Sequence, residues 1–194
     1  MLLAKIKEEL KSLYDDIDIQ ESAEVEEAAA EEAEAPPVVE EGAEAVSEQG
    51  DVKEEEPVTK ASPPGPREAD YKSIGYHLDV ALPPEKVVAA AEILSRENFF
   101  IEAITGVDWI DEQQLEVVYD FNHFEELCRV AIRTRTDRSN PEVPTISHIY
   151  QGANWHERET HDFFGIKFSG HPNLEPLLLP EDADFHPLLK DFKA

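Results

Sequence analysis

The sequence predicts an α+β protein: a small mixed or antiparallel sheet with helices on one face, an extended proline-rich C-terminal tail and a disordered acidic N-terminal linker. Three observations carry this. Between Tyr71 and Phe164, apolar residues switch between period two and helical spacing in the order strand–helix–strand–strand–strand–helix, the pattern of a layered fold. Residues 15–56 hold 18 acids, one base (Lys53) and no aromatic residue, too little apolar area to offset ordering entropy. Residues 166–194 carry Pro172, Pro176, Pro180 and Pro187, each without a backbone donor. The chain divides accordingly into a short amphipathic helix (1–14), an acidic linker (15–70), an α+β domain (71–165) and an extended tail (166–194), the last expected to dock on a partner or on its own domain.

Leu3, Ile6, Leu10 and Leu13 recur at three- and four-residue spacing, one apolar stripe on a helix. A dozen residues make a marginal helix alone, so the stripe needs something to pack on. Ile74, Tyr76, Leu78, Val80 and Leu82 alternate with smaller or polar residues and form a half-buried strand. Pro83-Pro84 ends it and opens a helix with the stripe Val87, Val88, Ala91 and Leu94. A strand over Phe99–Thr105 precedes a hairpin. Leu115, Val117, Tyr119 and Phe121 alternate on one arm, and Cys128, Val130 and Ile132 on the other, joined across Asn122–Glu125. Thr145–Phe164 reads as helical, interrupted at Gly152 and stopped at Gly165. The tail places eight large apolar residues among its prolines, from Leu174 to Phe192, and buries them on its own domain or on a partner.

The formal net charge is −27, and both parts of the chain are acidic: 22 acids against 6 bases up to residue 70, and 22 against 11 beyond it. This argues against a sequence-independent nucleic-acid binder, which needs a basic surface. One cysteine, Cys128, permits no intrachain disulfide and no all-cysteine iron–sulfur site, which takes about four thiolates. A core thiol is its expected role, and cytoplasmic residence fits. The N-terminus lacks a signal-peptide core and is too acidic for a transit peptide. No apolar run approaches the ~18–20 residues of a membrane helix, so membrane attachment is expected only through partners.

His156, Glu157 and His161 raise the possibility of a zinc hydrolase. The zincin helix sets its histidines four apart, about 40° on the wheel; here they are five apart, about 140°, and cannot converge on one ion from a regular helix. No glycine-rich dinucleotide or phosphate loop exists. The chain is therefore expected to hold no flavin, nicotinamide, haem or metal. Trp155, Arg158, Glu159 and Asp162 fall within about 100° of one another on the wheel, with Phe163 and Phe164 outside that arc. Trp and Arg are enriched at interface centres, so these four are expected to form a docking face. A solvated face with Arg158 paired to Asp162 is the plainer alternative.

Asn154-Trp155-His156-Glu157-Arg158-Glu159-Thr160-His161-Asp162-Phe163-Phe164-Gly165-Ile166 resembles the signature of the 30 kDa subunit of respiratory complex I, the NADH–quinone oxidoreductase. Gly170-His171-Pro172-Asn173-Leu174, Leu178-Leu179-Pro180-Glu181-Asp182, and His186-Pro187-Leu188 with Lys190-Asp191-Phe192 continue it. The resemblance covers residues 71–194. It implies a non-catalytic peripheral-arm subunit of a proton-pumping NADH:quinone oxidoreductase, with its tail on the 49 kDa-type quinone-site subunit. It implies further peripheral-arm partners and a peripheral place on the cytoplasmic face of a bacterial plasma membrane. FMN, iron–sulfur clusters, NADH and quinone then belong to the parent complex, and none to this chain. Carried over by position, the interface residues are Trp155, Arg158, Glu159, Asp162, His171, Pro172, Leu178, Pro180, Glu181, Asp182, His186, Pro187, Lys190 and Asp191. The chain departs from the family at Glu175-Pro176, where two arginines are usual, and at Leu189, where one is usual, which implies a less acidic partner surface or an altered contact. The small subunit of a membrane-bound [NiFe] hydrogenase or of a quinone reductase fed by another donor is the alternative parent.

Overall fold

A computed structural model describes residues 1–14 and 65–193. Helix α1 (residues 2–14) is followed, beyond residue 64, by β1 (Gly65–Glu68), the one-turn helix α2 (Tyr71–Ile74) and β2 (Leu78–Ala81). Helix α3 (Val87–Arg96), β3 (Phe99–Trp109), β4 (Gln114–His123) and β5 (Arg129–Asp137) come next, then β6 (Glu142–Pro144), α4 (Ala153–Phe164) and β7 (Lys167–Ser169). The main sheet has the order β1-β2-β5-β4-β3. Only the β2–β5 pair within it is parallel, so the sheet is mixed. A second small sheet pairs β6 with β7 in parallel.

Leu115, Val117, Tyr119 and Phe121 of β4 join Val130 and Ile132 of β5 and Leu78 and Val80 of β2 in one buried cluster. Helices α1, α3 and α4 add Ile6, Leu10, Val87, Leu94 and Ala153 to it, so the helices lie on one face of the sheet. The opposite face is polar. Glu116 is nearly fully buried there because Arg133 and Arg135 lie over it and the Trp109 indole N–H donates to it at 3.1 Å.

Several elements differ from the sequence reading. The strand expected from Ile74 is shorter: Asp70 caps Lys72, and Gly75 at φ 80° closes α2 before β2 begins. Here local capping outweighs alternation. β3 runs on to Trp109, with a register shift at Ile101/Ala103. The helix expected from Thr145 begins at Ala153 instead. The Thr145 amide donates to the Ser169 carbonyl at 3.0 Å, so its backbone extends the small sheet. Residues 65–68, placed in the linker by composition, pair with β2; the linker expectation for 15–64 lies outside the described residues. Residues 1–14 are no separate unit, since Ile6 and Leu10 are fully buried in the common core. Nor does the domain stop at Gly165, because Ile166 and Phe168 belong to that core.

Candidate docking site on α4 and the C-terminal tail

Helix α4 buries Ala153, Glu157 and Thr160 against the sheet. Phe164 rests on Gly106 of β3 so closely that a Cβ there would lie 2.4 Å from the ring. Trp155, Arg158, Glu159 and Asp162 are on the opposite arc. Asp162 is nevertheless only 3% exposed. The chain's own tail covers it: one carboxylate oxygen accepts the backbone N–H groups of Leu177, Leu178 and Leu179 at 2.9, 2.7 and 3.2 Å. Burial alone would raise the Asp162 carboxyl; the three N–H donors overcome it and hold the group below the usual carboxylate range.

Arg158 secures the neighbouring residues. Its guanidinium donates to the carbonyls of Glu175 at 2.8 Å and Pro176 at 2.9 Å, and lies 5.4 Å from the Trp155 ring centroid. The plainer alternative, a pairing of Arg158 with Asp162, gives way to two clamps on the tail, a cation on carbonyls and a carboxylate on amides. The positions where the family usually has arginines are occupied accordingly. Glu175 and Pro176 offer carbonyls to Arg158, and Leu189 is half-buried against the core.

Histidines fix the rest of the strap. His186 Nδ1 donates to the Asp162 carbonyl at 2.8 Å, and its ring fills the space beside Gly165, 2.7 Å from where a Cβ would lie. Gly165, at φ 76°, closes α4 in the left-handed region, so glycine is required there on two counts. His171 donates from Nε2 to the Asn154 carbonyl at 3.2 Å and accepts the Asn173 amide on Nδ1, which makes it the neutral ring; burial lowers its pKa. The His171 side chain is fully buried 3.8 Å from Glu157. Glu157 itself accepts the Ile146 amide at 2.8 Å and the Thr145 hydroxyl. Burial pushes its carboxyl up to about 7 against these two donors. At the far end the Lys190 amide donates to Asp108 at 2.8 Å, and Arg138 bridges Asp108 and Asp191. The Arg138 hydrogen bond holds the Asp191 carboxyl low.

The fourteen expected interface residues therefore fall into two groups. Arg158, Asp162, His171, His186 and Asp191, with the Lys190 backbone, are engaged within the chain. Trp155, Glu159, Pro172, Leu178, Pro180, Glu181 and Asp182 are exposed, and Pro187 is half-buried. Trp155 (59% exposed), Leu178, Phe185, Leu188 and Phe192 leave large apolar surface in water along the strap. The sequence pattern does not reveal Asp108, Arg138 and Glu157 as strap residues; isolated charges on a strand, a turn and a buried helix face give no periodic signal. His161 donates to the Ile166 carbonyl at 2.9 Å. Among the described residues no three His, Cys, Asp or Glu side chains gather where a metal could bind.

Fold and site define an α+β domain that ties its own tail across one helix and presents an apolar surface along that tail. The model of the family "Respiratory-chain NADH dehydrogenase, 30 Kd subunit" matches residues 80–194, and the chain belongs to this family. It is 44% identical over 120 residues to a NADH-quinone oxidoreductase subunit of Roseiflexus sp. (strain RS-1), spanning 59% of this chain and 68% of that one. It is 40% identical over 94 residues to a NADH-quinone oxidoreductase subunit of Phocaeicola vulgatus that bears the double designation C/D, spanning 48% of this chain and 18% of that one. A chain in the solved structure of a membrane-bound sulfane sulfur reductase, an archaeal respiratory membrane complex, is similar at 32% identity and a TM-score of 0.55, over 60% of this chain and 71% of that one.

Proposed function

We propose that the chain is a non-catalytic peripheral-arm subunit of a proton-pumping NADH:quinone oxidoreductase, and that it scaffolds the 49 kDa-type quinone-site subunit through the α4–tail surface. The observation that carries this reading is the pre-tied tail. Arg158 and Asp162 fix the strap from below, while Trp155, Leu178, Leu188 and their neighbours stay in water above it. Exposed apolar groups rimmed by charge are what a protein interface uses. Fixing the strap in advance lowers the ordering cost of association. The Phocaeicola relative, with two designations joined in the name of one chain, supports a direct contact between this domain and a neighbouring subunit.

On this reading flavin, iron–sulfur clusters, NADH and quinone are held by other subunits, and the chain reaches the cytoplasmic face of the membrane only through them. Among the described residues no helix is long and apolar enough to cross a membrane. A second reading, membership in a related respiratory complex with another donor, is favoured by the likeness to the sulfane sulfur reductase component. The test is affinity purification of the tagged full chain from its host membranes with identification of the co-purifying subunits. A quinone-site subunit together with NADH-binding subunits is the expected result. A quinone-site-type partner without NADH-binding subunits selects the second reading, and recovery of the chain alone refutes both.

A further inference from the structure

The turn between β4 and β5 carries apolar surface that the tail site does not use. Phe124 is 71% exposed and Leu127 66% exposed. Exposed Ile74 lies at the same end of the sheet, because α2 leads into β2 and β2 pairs in parallel with β5. The strap crosses the helix-covered face, from the Asn154 carbonyl held by His171 at the start of α4 to the other end of β3, where the Lys190 amide meets Asp108. Phe99, at the start of the same strand, pairs with His123 beside the turn. Nine residues of strand separate those two points by about 30 Å.

The turn is held in shape by the chain itself. His123 Nδ1 accepts the amides of Glu125 at 3.2 Å and Glu126 at 2.9 Å, and its ring packs edge-on against Phe99 at 5.1 Å. The Phe124 ring leans on Phe100 at 4.8 Å, and the Phe124 amide donates to the Asn98 carbonyl at 3.3 Å. Two large apolar side chains are thus presented to water on a pre-organised turn, with the ordering cost of association already reduced. Between them stand two exposed carboxylates, Glu125 and Glu126.

We propose that Phe124–Leu127 is a second docking element, which inserts into an apolar notch rimmed by lysine or arginine on a partner protein other than the one that takes the tail. Charge complementarity selects that occupant. A second copy of this chain, itself of net charge −27, would set Glu125 and Glu126 against their equals. Nucleic acid and anionic membranes are repelled for the same reason.

The experiment places a photo-reactive phenylalanine analogue at position 124, or separately at position 178, of the full chain in its host cells, and identifies the cross-linked peptides by mass spectrometry. Position 124 is expected to give one discrete product whose peptide contains lysine or arginine, from a different protein than position 178. The pair Glu125→Lys/Glu126→Lys is expected to cut the position-124 product at least tenfold and leave the position-178 product unchanged. No product at 124, a product with a second copy, the same partner as at 178, a peptide without basic residues, or indifference to charge reversal overturns the proposal. Loss of the 178 product alone counts only against the tail-face reading.

Discussion

Replacing Asp162 by alanine removes the acceptor for three tail amides at once. Hydrogen bonds to a charged group contribute about 1.5–3 kcal/mol each. The three here converge on one oxygen and the tail is half exposed at Leu177 and Leu179, so water recovers part of the loss and the contributions do not add. A total of about 3 kcal/mol is the reasonable scale, or about 100-fold in the local opening equilibrium. Amide hydrogen exchange reads this directly: Leu177, Leu178 and Leu179 should exchange about 100-fold faster in Asp162→Ala, while β4 amides keep their wild-type rates. Asp162→Asn keeps an oxygen without the charge and should show about tenfold. The depressed carboxyl also fixes the pH response. Its stabilising contribution is complete above the ordinary value of about 4 and is lost as pH falls through the lower folded value. Unchanged exchange at the three leucines would refute the clamp, and uniform acceleration across the sheet would make Asp162 a residue of general stability instead.

Three further outcomes test the packing beneath the strap. The raised Glu157 carboxyl, about 7 against an ordinary 4.5, contributes stability that is complete below about pH 4.5 and lost as pH rises through 7, on the order of 3 kcal/mol. Glu157→Gln should therefore raise Tm at pH 8 by several degrees and flatten the Tm–pH profile; identical profiles count against the assignment. Gly106→Ala should lower stability by about 1–3 kcal/mol, because the new methyl group meets the Phe164 ring; urea denaturation measures it, and an unchanged midpoint would mean that α4 yields freely. Arg158→Ala should speed proteolysis at residues 175–176 and leave protection of Leu178 largely intact, since Asp162 still holds it. Equal loosening of both segments would show that the two clamps act as one.

Alternation and helical spacing made the sheet legible, because β4 and β5 each show one face to the core and one to the polar side. The wheel likewise put Trp155, Arg158, Glu159 and Asp162 on one arc. What it could not reveal was the tail crossing that arc, since prolines erase periodicity and an extended segment is positioned by contacts far away in sequence. That is why a sequence pairing of Arg158 with Asp162 became, in three dimensions, two clamps on Glu175–Leu179. Capping and sheet extension decided the other differences: Asp70 and Gly75 shorten the first strand, and Thr145 stays in the small sheet instead of starting α4.

The most direct test of the docking role is a count of assembled complexes set beside turnover per complex. Trp155→Ala/Leu188→Ala in the host chain removes two exposed apolar groups and none of the hydrogen bonds of the two clamps, though it takes the Trp155 ring from beside Arg158. Native-gel quantification of the assembled enzyme, with NADH-dependent quinone reduction normalised to that amount, should show several-fold fewer complexes, each with near-normal turnover. A normal number of complexes with lost turnover would place these residues in the chemistry and contradict a scaffold role.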